Sequence, residues 1–366
     1  MSAMSRLPVV AGTLSIGALL ASMSLSPSLR NTVARNLSIS APSYVWKTLL
    51  FVFALSNLKS LPFIWHYRVF RGILYHLYLS PTPLTGADLF KPLVTTSSNS
   101  LLDCDYNLHK SNSTYFADLD VARAHYMGAL LRTSNARLRS GDLAGLPQNV
   151  INGQVPGGYI IALGGVACVF RKEIKPFEKF EVWTRLLSWD KKWLYIVSHI
   201  VKRGTVKPAS YSWQPRRKGR KGDKKEAEAL KKAVFASSIA KYVCKKGRLT
   251  IAPEIVLERS YLLPKRPGDK PRPEVGIDSP ATGSGTPANL SSPENLGSEL
   301  AIKLGKKVEA EKVKAEIEEQ DEMTWEEVEE ERLRGLKIAE QFEGLSAMHE
   351  DFGTNDEILG QYGEFF

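Results

Sequence analysis

The chain has 366 residues, 49 Lys/Arg against 39 Asp/Glu, six histidines and three cysteines. Cys104, Cys168 and Cys244 form no CxxC or other ligand spacing, which argues against a disulfide-built scaffold, and the scattered histidines suggest no metal site. The net charge of +10 averages three unlike regions, so a whole-surface nucleic-acid footprint is not expected.

Residues 1–87 contain no acid but seven basic side chains, Arg6, Arg30, Arg35, Lys47, Lys59, Arg68 and Arg71. Two apolar runs, 7–25 and 49–65, lie in this region, the second interrupted by Asn57, Lys59 and Pro62. Between 63 and 79, Trp65, Tyr67, Phe70, Tyr75 and Tyr78 interleave with Arg68 and Arg71, a pattern suited to a bilayer interface. A spanning helix needs ~20 apolar residues, which makes each run marginal alone. A cleaved secretory signal, a mitochondrial transit peptide and a buried helical subdomain are competing readings. The second run and its aromatic skirt lie beyond any cleavage point, and they favour a retained membrane anchor over 1–87.

Residues 88–260 read as an α+β domain. A β-rich run at 93–102 is followed by a polar turn and a helix reaching Leu131, with Phe116, Leu119, Ala122, Tyr126 and Leu130 at helical spacing. Asn112 or Ser113 is its expected N-cap. Polar, Gly-containing sequence at 134–158 makes the next connection. Strands follow at 159–172, 179–188, 193–203 and 233–245, dominated by Val, Ile, Phe, Tyr and Trp. Consecutive strands without alternating helices exclude a doubly wound parallel sheet.

The segment 103–123, DCDYNLHKSNSTYFADLDVAR, places two carboxylates just upstream of a helix start. A helix N-terminus offers N–H groups and a positive dipole end that can polarise a carbonyl oxygen. A carboxylate beside it can attack that carbonyl or activate water against it, and the sequence does not separate these roles. The combination points to acyl transfer or hydrolysis.

The pattern D-x-D-x-x-x-H-x-x-N-x-x-Y closed by L-D-x-A-R, with Trp183-Thr184-Arg185, Ser188-Trp189-Asp190 and Lys192-Trp193-Leu194-Tyr195 further on, resembles the 4-hydroxybenzoyl-CoA-thioesterase-like branch of the hotdog-fold superfamily. Within it, the resemblance is to thioesterase superfamily member 6 and fungal thioesterase-like proteins. It covers roughly residues 91–257. That family usually reads His-Met-Asn-Asn where this chain has His109-Lys110-Ser111-Asn112. The resemblance implies an antiparallel sheet wrapped around one long helix and a homodimer whose sites combine one protomer's helix start with its partner's strands. It also implies an acyl-CoA or acyl-carrier-protein substrate and a catalytic carboxylate at Asp105.

Site expectations follow residue by residue. Asp105 is the candidate nucleophile or general base. His109 is a candidate for holding water or substrate, with a loop histidine bonding a neighbouring carbonyl as the bland alternative. Asn112 positions the N–H groups that receive the thioester oxygen. Asp103 reads as a turn residue, Tyr115 as core, and Asp120 with Arg123 as a helix-surface pair. Ser111 and Ser113 lack a His/Asp arrangement for a serine hydrolase.

The insertion 204–232 lies in a stretch, 202–232, with twelve Lys/Arg against three acids; it reads as a solvated hairpin insertion or a phosphate-binding patch. Residues 261–298 are a Pro/Gly/Ser linker. Residues 299–366 carry twenty acids against eight bases, with too few apolar positions in their helical stretch for an independent core. The expected protein is a membrane-anchored thioesterase acting in lipid or secondary metabolism on the cytosolic face of the endoplasmic reticulum, with mitochondria as the other location. A silent acyl-CoA- or lipid-binding protein of the same fold, and an assembly factor working through the acidic tail, are the alternatives.

Overall fold

The runs rich in Val, Ile, Phe and Tyr become one antiparallel sheet in the computed structural model, which describes residues 26–37, 43–80, 83–206, 208, 210–213, 233–264, 266–267 and 323–349. Its strands are β1 (Leu93–Ser98), β2 (Tyr159–Phe170), β3 (Lys179–Trp189), β4 (Trp193–Lys202), β5 (Val234–Lys246) and β6 (Leu249–Ile251). Their order is β1-β3-β4-β5-β2, with β6 paired to the end of β5. The described helices are α1 (Pro27–Leu37), α2 (Ser43–Ser56), α3 (Ile64–Leu74), α4 (Asn112–Leu130), α5 (Arg132–Arg139), α6 (Gln148–Ile151), α7 (Pro253–Arg259) and α8 (Trp325–Glu343). The connection expected at 134–158 contains most of α5 and all of α6. The basic insertion, apart from its first residues, and the first apolar run lie outside the described residues.

The sheet wraps one face around α4, the hotdog arrangement. Strand alternation sends Phe180, Val182 and Ile200 inward to meet Tyr115, Leu119 and Ala122. Leu186, Trp189, Leu194 and Ile196 meet Tyr126 and Leu130 one layer further along. Tyr126 ties α4 to the sheet in this second layer: its hydroxyl donates to Leu89 O (3.2 Å) and accepts from Leu186 N (2.8 Å), where β3 bulges. Burying a side chain of this class contributes ~1.5–3 kcal/mol, so these layers supply most of the domain's cohesion.

The opposite sheet face is covered by α8. Leu187, Tyr195, Val197 and Ile239 pack against Leu336, Ala339 and Phe342. Close approach depends on Gly335, because a Cβ there would lie 2.0 Å from Leu187 O. Ser188 Oγ donates to Arg332 O (2.7 Å), and Arg332 Nη1 donates to Trp189 O (3.1 Å). The acidic tail thus contributes a helix that packs back on the domain.

The second apolar run forms α2 and leads into α3 through a 3₁₀ turn, Leu58–Ser60. Among the described residues, no helix is long and apolar enough to cross a membrane. Instead α3 lies against α4, where a Cβ on Gly72 would meet the His125 ring at 2.7 Å. Just after α3, His76 Nε2 sits 3.1 Å from His125 Nδ1. Burial pushes both imidazoles down to about 4; the neighbouring His125 and Arg132 add to the shift at His76, as do Arg71 and Arg68 at His125. Their ordinary value is 6.5, so the unfolded chain takes up protons first as the pH falls. Stability is therefore complete above pH ~6.5 and declines as the pH drops towards about 4. Melting temperatures recorded across that window should fall with acidification, and His125→Asn, which cannot bind the proton, should give a shallower decline. Equal slopes for the parent and the variant would refute the assignment.

Candidate active site

Residues 104–110 form a small hairpin immediately ahead of α4. Cys104 pairs with Lys110, Asp105 N donates to His109 O (3.0 Å), and Leu108 N donates to Asp105 O (3.1 Å). Leu108 adopts φ 59°, a left-handed conformation costing a non-glycine residue ~1–2 kcal/mol. The turn brings two predicted residues together: His109 Nδ1 lies 3.6 Å from Asp105 Oδ2. Asp105 Oδ1 accepts from Asn107 N at 2.8 Å, an Asx turn that fixes the carboxylate's orientation. Both side chains keep partial solvent access, 24% for Asp105 and 21% for His109.

A cleft of about 250 Å³ opens beside this turn. His109, Asn112 and Tyr115 line one wall, and Phe170, Arg171 and Glu173 line the other. Glu173 Oε1 stands 3.8 Å from His109 Nε2. The second wall is fixed by Lys110 N donating to Ile174 O (2.9 Å) and by the buried Asn99 amide donating to Ile174 O (3.1 Å). The structure thus pairs Asp105 with His109 and brings His109 and Asn112 to one cleft, which Asp105 itself does not line.

Two details differ from the sequence reading. The N-cap is Ser111, and Asn112 is the first helical residue. Ser111 contributes through its backbone, with its carbonyl accepting from Thr114 N (3.0 Å) and Thr114 Oγ1 (2.8 Å). Asn112 lines the cleft, and its N–H and that of Ser113 precede the first intrahelical bond, which Thr114 N makes to Ser111 O. Arg123 is buried, 2% exposed, and donates to the more exposed Asp120. The pair is therefore internal at its cationic end. Tyr115 is core, as expected, and burial raises its hydroxyl pKa.

Sequence reasoning missed a buried ion cluster directly behind the hairpin. Lys110 Nζ, with no side-chain exposure, donates to Asp118 Oδ2 (2.8 Å) and Asp103 Oδ2 (3.3 Å). Lys59 Nζ reaches the same two carboxylates, Asp103 at 2.6 Å and Asp118 at 2.9 Å. Arg68 Nη2 and Ser97 Oγ complete Asp118 at 2.9 and 3.0 Å, and Ser60 Oγ donates to Asp103 Oδ1 (2.7 Å). Burial alone would raise the Asp118 carboxyl, but Lys110, Lys59 and Arg68 outweigh it and hold the group well below the usual carboxylate range. Asp103 is lowered by the same opposition of burial against Lys110 and Lys59. Burial lowers Lys110 despite its two carboxylate partners. The available signal was two cations, Lys59 and Arg68, set in otherwise apolar or aromatic sequence.

Removing one member of such a cluster leaves uncompensated charge in the interior. Asp118→Ala should therefore destabilise the chain by ~3–5 kcal/mol, read from chemical denaturation. A loss under ~1 kcal/mol, typical of an exposed pair, would show that the cluster is solvated.

Residues 100–245 match the Thioesterase-like superfamily. The chain is 39% identical to the probable thioesterase atnL of Emericella nidulans over 58% of this chain and 70% of that protein. It is 33% identical to the thioesterase poxG of Penicillium oxalicum over 88% of this chain and 92% of that protein. Among solved structures, the probable thioesterase YbaW of Escherichia coli aligns with 46% of this chain and 96% of its own, at 13% identity and a TM-score of 0.28.

Proposed function

The chain belongs to the thioesterase-like superfamily and hydrolyses acyl thioesters; from that premise we propose that Asp105 is the carboxylate that carries the reaction. The single observation supporting this is the approach of Asp105 to His109, which lines a cleft together with Asn112 at the N-terminus of α4. With Oδ1 occupied by Asn107 N–H and Oδ2 facing His109, the carboxylate is oriented to act as a general base. Water gives its proton to Asp105 and its oxygen attacks the thioester carbon. The resulting oxyanion is stabilised by the N–H groups and dipole of the first turn at Asn112 and Ser113. Collapse breaks the C–S bond, and the departing thiolate takes back the proton held by Asp105, giving a carboxylic acid, a free thiol and the ionised carboxylate again.

The substrate reading is an acyl-CoA or acyl-carrier-protein thioester of lipid or secondary metabolism. Relatives named as thioesterases support the bond type, and the cleft's mixed lining of Tyr115 and Phe170 with Arg171 suits an acyl group carried on a phosphate-bearing thiol. A homodimer is part of the same proposal. β2 is an edge strand of twelve residues with Ile160, Ile161, Leu163 and Val169 exposed, and pairing with a second copy would cover it. Phe170, at the end of that strand, lines the cleft. The decisive test is Asp105→Asn, which can neither attack nor accept a proton. Hydrolysis of acyl-CoA substrates should fall at least ~10²-fold, in a protein that retains the parent's mass in solution and its melting temperature. Turnover at the parent's rate would remove Asp105 from the mechanism.

Membrane association through residues 1–87 is proposed on the same footing. Tyr44, Phe51, Phe63, Tyr67 and Leu79 each expose more than 60% of their surface on or beside α2 and α3, and Lys47 and Arg71 lie on the same helices. Apolar side chains with neighbouring cations suit the headgroup boundary of an anionic bilayer. The exposed thioesterase cleft then faces the cytosol, where CoA thioesters are held, at the endoplasmic reticulum or, as the second location, a mitochondrion. The full chain should sediment with phosphatidylcholine–phosphatidylserine vesicles, and Phe51→Asp combined with Phe63→Asp should release it. A parent chain that stays in the supernatant would end this proposal.

A further inference from the structure

The ion cluster holds both ends of the catalytic hairpin. Asp103 and Lys110 flank residues 104–109, and their side chains meet at 3.3 Å. Lys110 continues to Asp118, two turns into α4. The backbone repeats the connection: Ser111 N donates to Asp103 O (2.8 Å), and Thr114 Oγ1 donates to the same oxygen (3.2 Å). The position of Asp105 and His109 relative to the start of α4 is therefore set by Asp103, Asp118 and the enclosed side chain of Lys110, a residue that also borders the cleft. Lys59, which bridges Asp103 and Asp118, and Arg68, which pairs with Asp118, come from the segment preceding the matched residues 100–245.

We propose that Lys110 is a positioning residue for thioester hydrolysis: it clamps the Asp105–His109 hairpin onto α4, and Lys59 extends the clamp to the N-terminal helices. Lys110 Nζ is fully enclosed and touches no reacting atom, so its contribution is geometric. Losing it lets the hairpin shift against the helix start, and displacement of a reacting group by about 1 Å can cost ~10²-fold in rate. Binding of the acyl and thiol portions depends on the cleft walls instead, one of which is held by the Lys110 backbone and Asn99 and survives a side-chain change. The clamp also makes residues 57–68 part of the catalytic support, so a partner or bilayer that moves α3 would move the hairpin.

The proposal rests on Asp105 being the reacting carboxylate, and the experiment separates the two. Full-length parent, Asp105→Asn, Lys110→Met, Lys59→Met and the double Lys59→Met/Lys110→Met are assayed with the acyl-CoA that the parent hydrolyses fastest among straight-chain and aromatic ones. Lys110→Met should lower kcat ~10- to 100-fold with KM within about twofold of the parent. Lys59→Met should lower kcat in the same direction, and the double variant should lose less than the product of the two single losses, as one shared network requires. If Lys110→Met does not fold, Lys110→Met/Asp118→Asn removes opposite charges together and is read by the same criteria. An unchanged kcat, or a raised KM at constant kcat, would overturn the clamp. An active Asp105→Asn would overturn the reading of the site itself. An inactive Asp105→Asn beside a fully active, folded Lys110→Met would overturn the clamp alone.

Discussion

One carboxylate constrains the rest of this molecule. Asp118 lies 2% exposed inside a helix and receives Lys59, Arg68, Lys110 and Ser97 within hydrogen-bonding distance. An ionised carboxylate in an interior is tolerable only with such complete pairing, because desolvation costs several kcal/mol per ion and must be offset by local geometry. The four donors come from four places in the chain: the turn after α2, helix α3, the hairpin before α4 and strand β1. Satisfying Asp118 therefore fixes the mutual placement of the N-terminal helices, the sheet edge and the 104–110 hairpin in one step.

Beyond its first turn and Asp120, α4 is largely enclosed. The sheet covers one side through Phe180, Val182 and Leu186, and α3 with the His76 turn covers another, so a helix that would ordinarily turn charge to solvent is enclosed. The same logic applies on the outer sheet face. There α8 replaces solvent over Leu187 and Tyr195, and its cations serve the strand end: Arg332 bonds Trp189 O and is held by Glu329 on its own helix. Both outer helices approach through a glycine, Gly72 on α3 and Gly335 on α8, where backbone-level contact substitutes for the interlocking of large side chains.

Elements whose evidence is local were legible in the sequence. Branched and aromatic alternation placed β2 through β5 within a few residues, and helical spacing placed α4 to within one residue at its end. The Asp105–His109–Asn112 grouping was legible because it lies within eight residues. The cap was displaced by one residue because Ser111 acts through its carbonyl, with Thr114 supplying the hydroxyl, a pattern that ranking side-chain caps does not reveal. The docking of α8 was legible only in part: Leu336 and Phe342 are among its sparse apolar positions, whereas Gly335 and Ala339, which allow the close approach, are too small to register as a hydrophobic stripe. Lys59 was read as an interruption of an apolar run. Its partners lie more than forty residues away, and no periodicity carries that information.

The two carboxylates of the D-x-D pair show how position within this network divides their roles. Asp103 and Asp105 are separated by one residue, yet Asp103 points into the cluster and is held ionised by Lys110 and Lys59 against the burial that would otherwise raise it. A carboxylate clamped between two ammonium groups is a poor proton acceptor and a poor nucleophile, since both reactions withdraw charge that the lysines stabilise. Asp105 has no ammonium or guanidinium partner among the described residues: its side chain meets the Asn107 N–H and the His109 ring, and a quarter of it is exposed. Charge can leave Asp105 without stranding a buried cation. The motif thus pairs one carboxylate that must stay charged to hold the fold with a neighbour able to change its charge during a reaction.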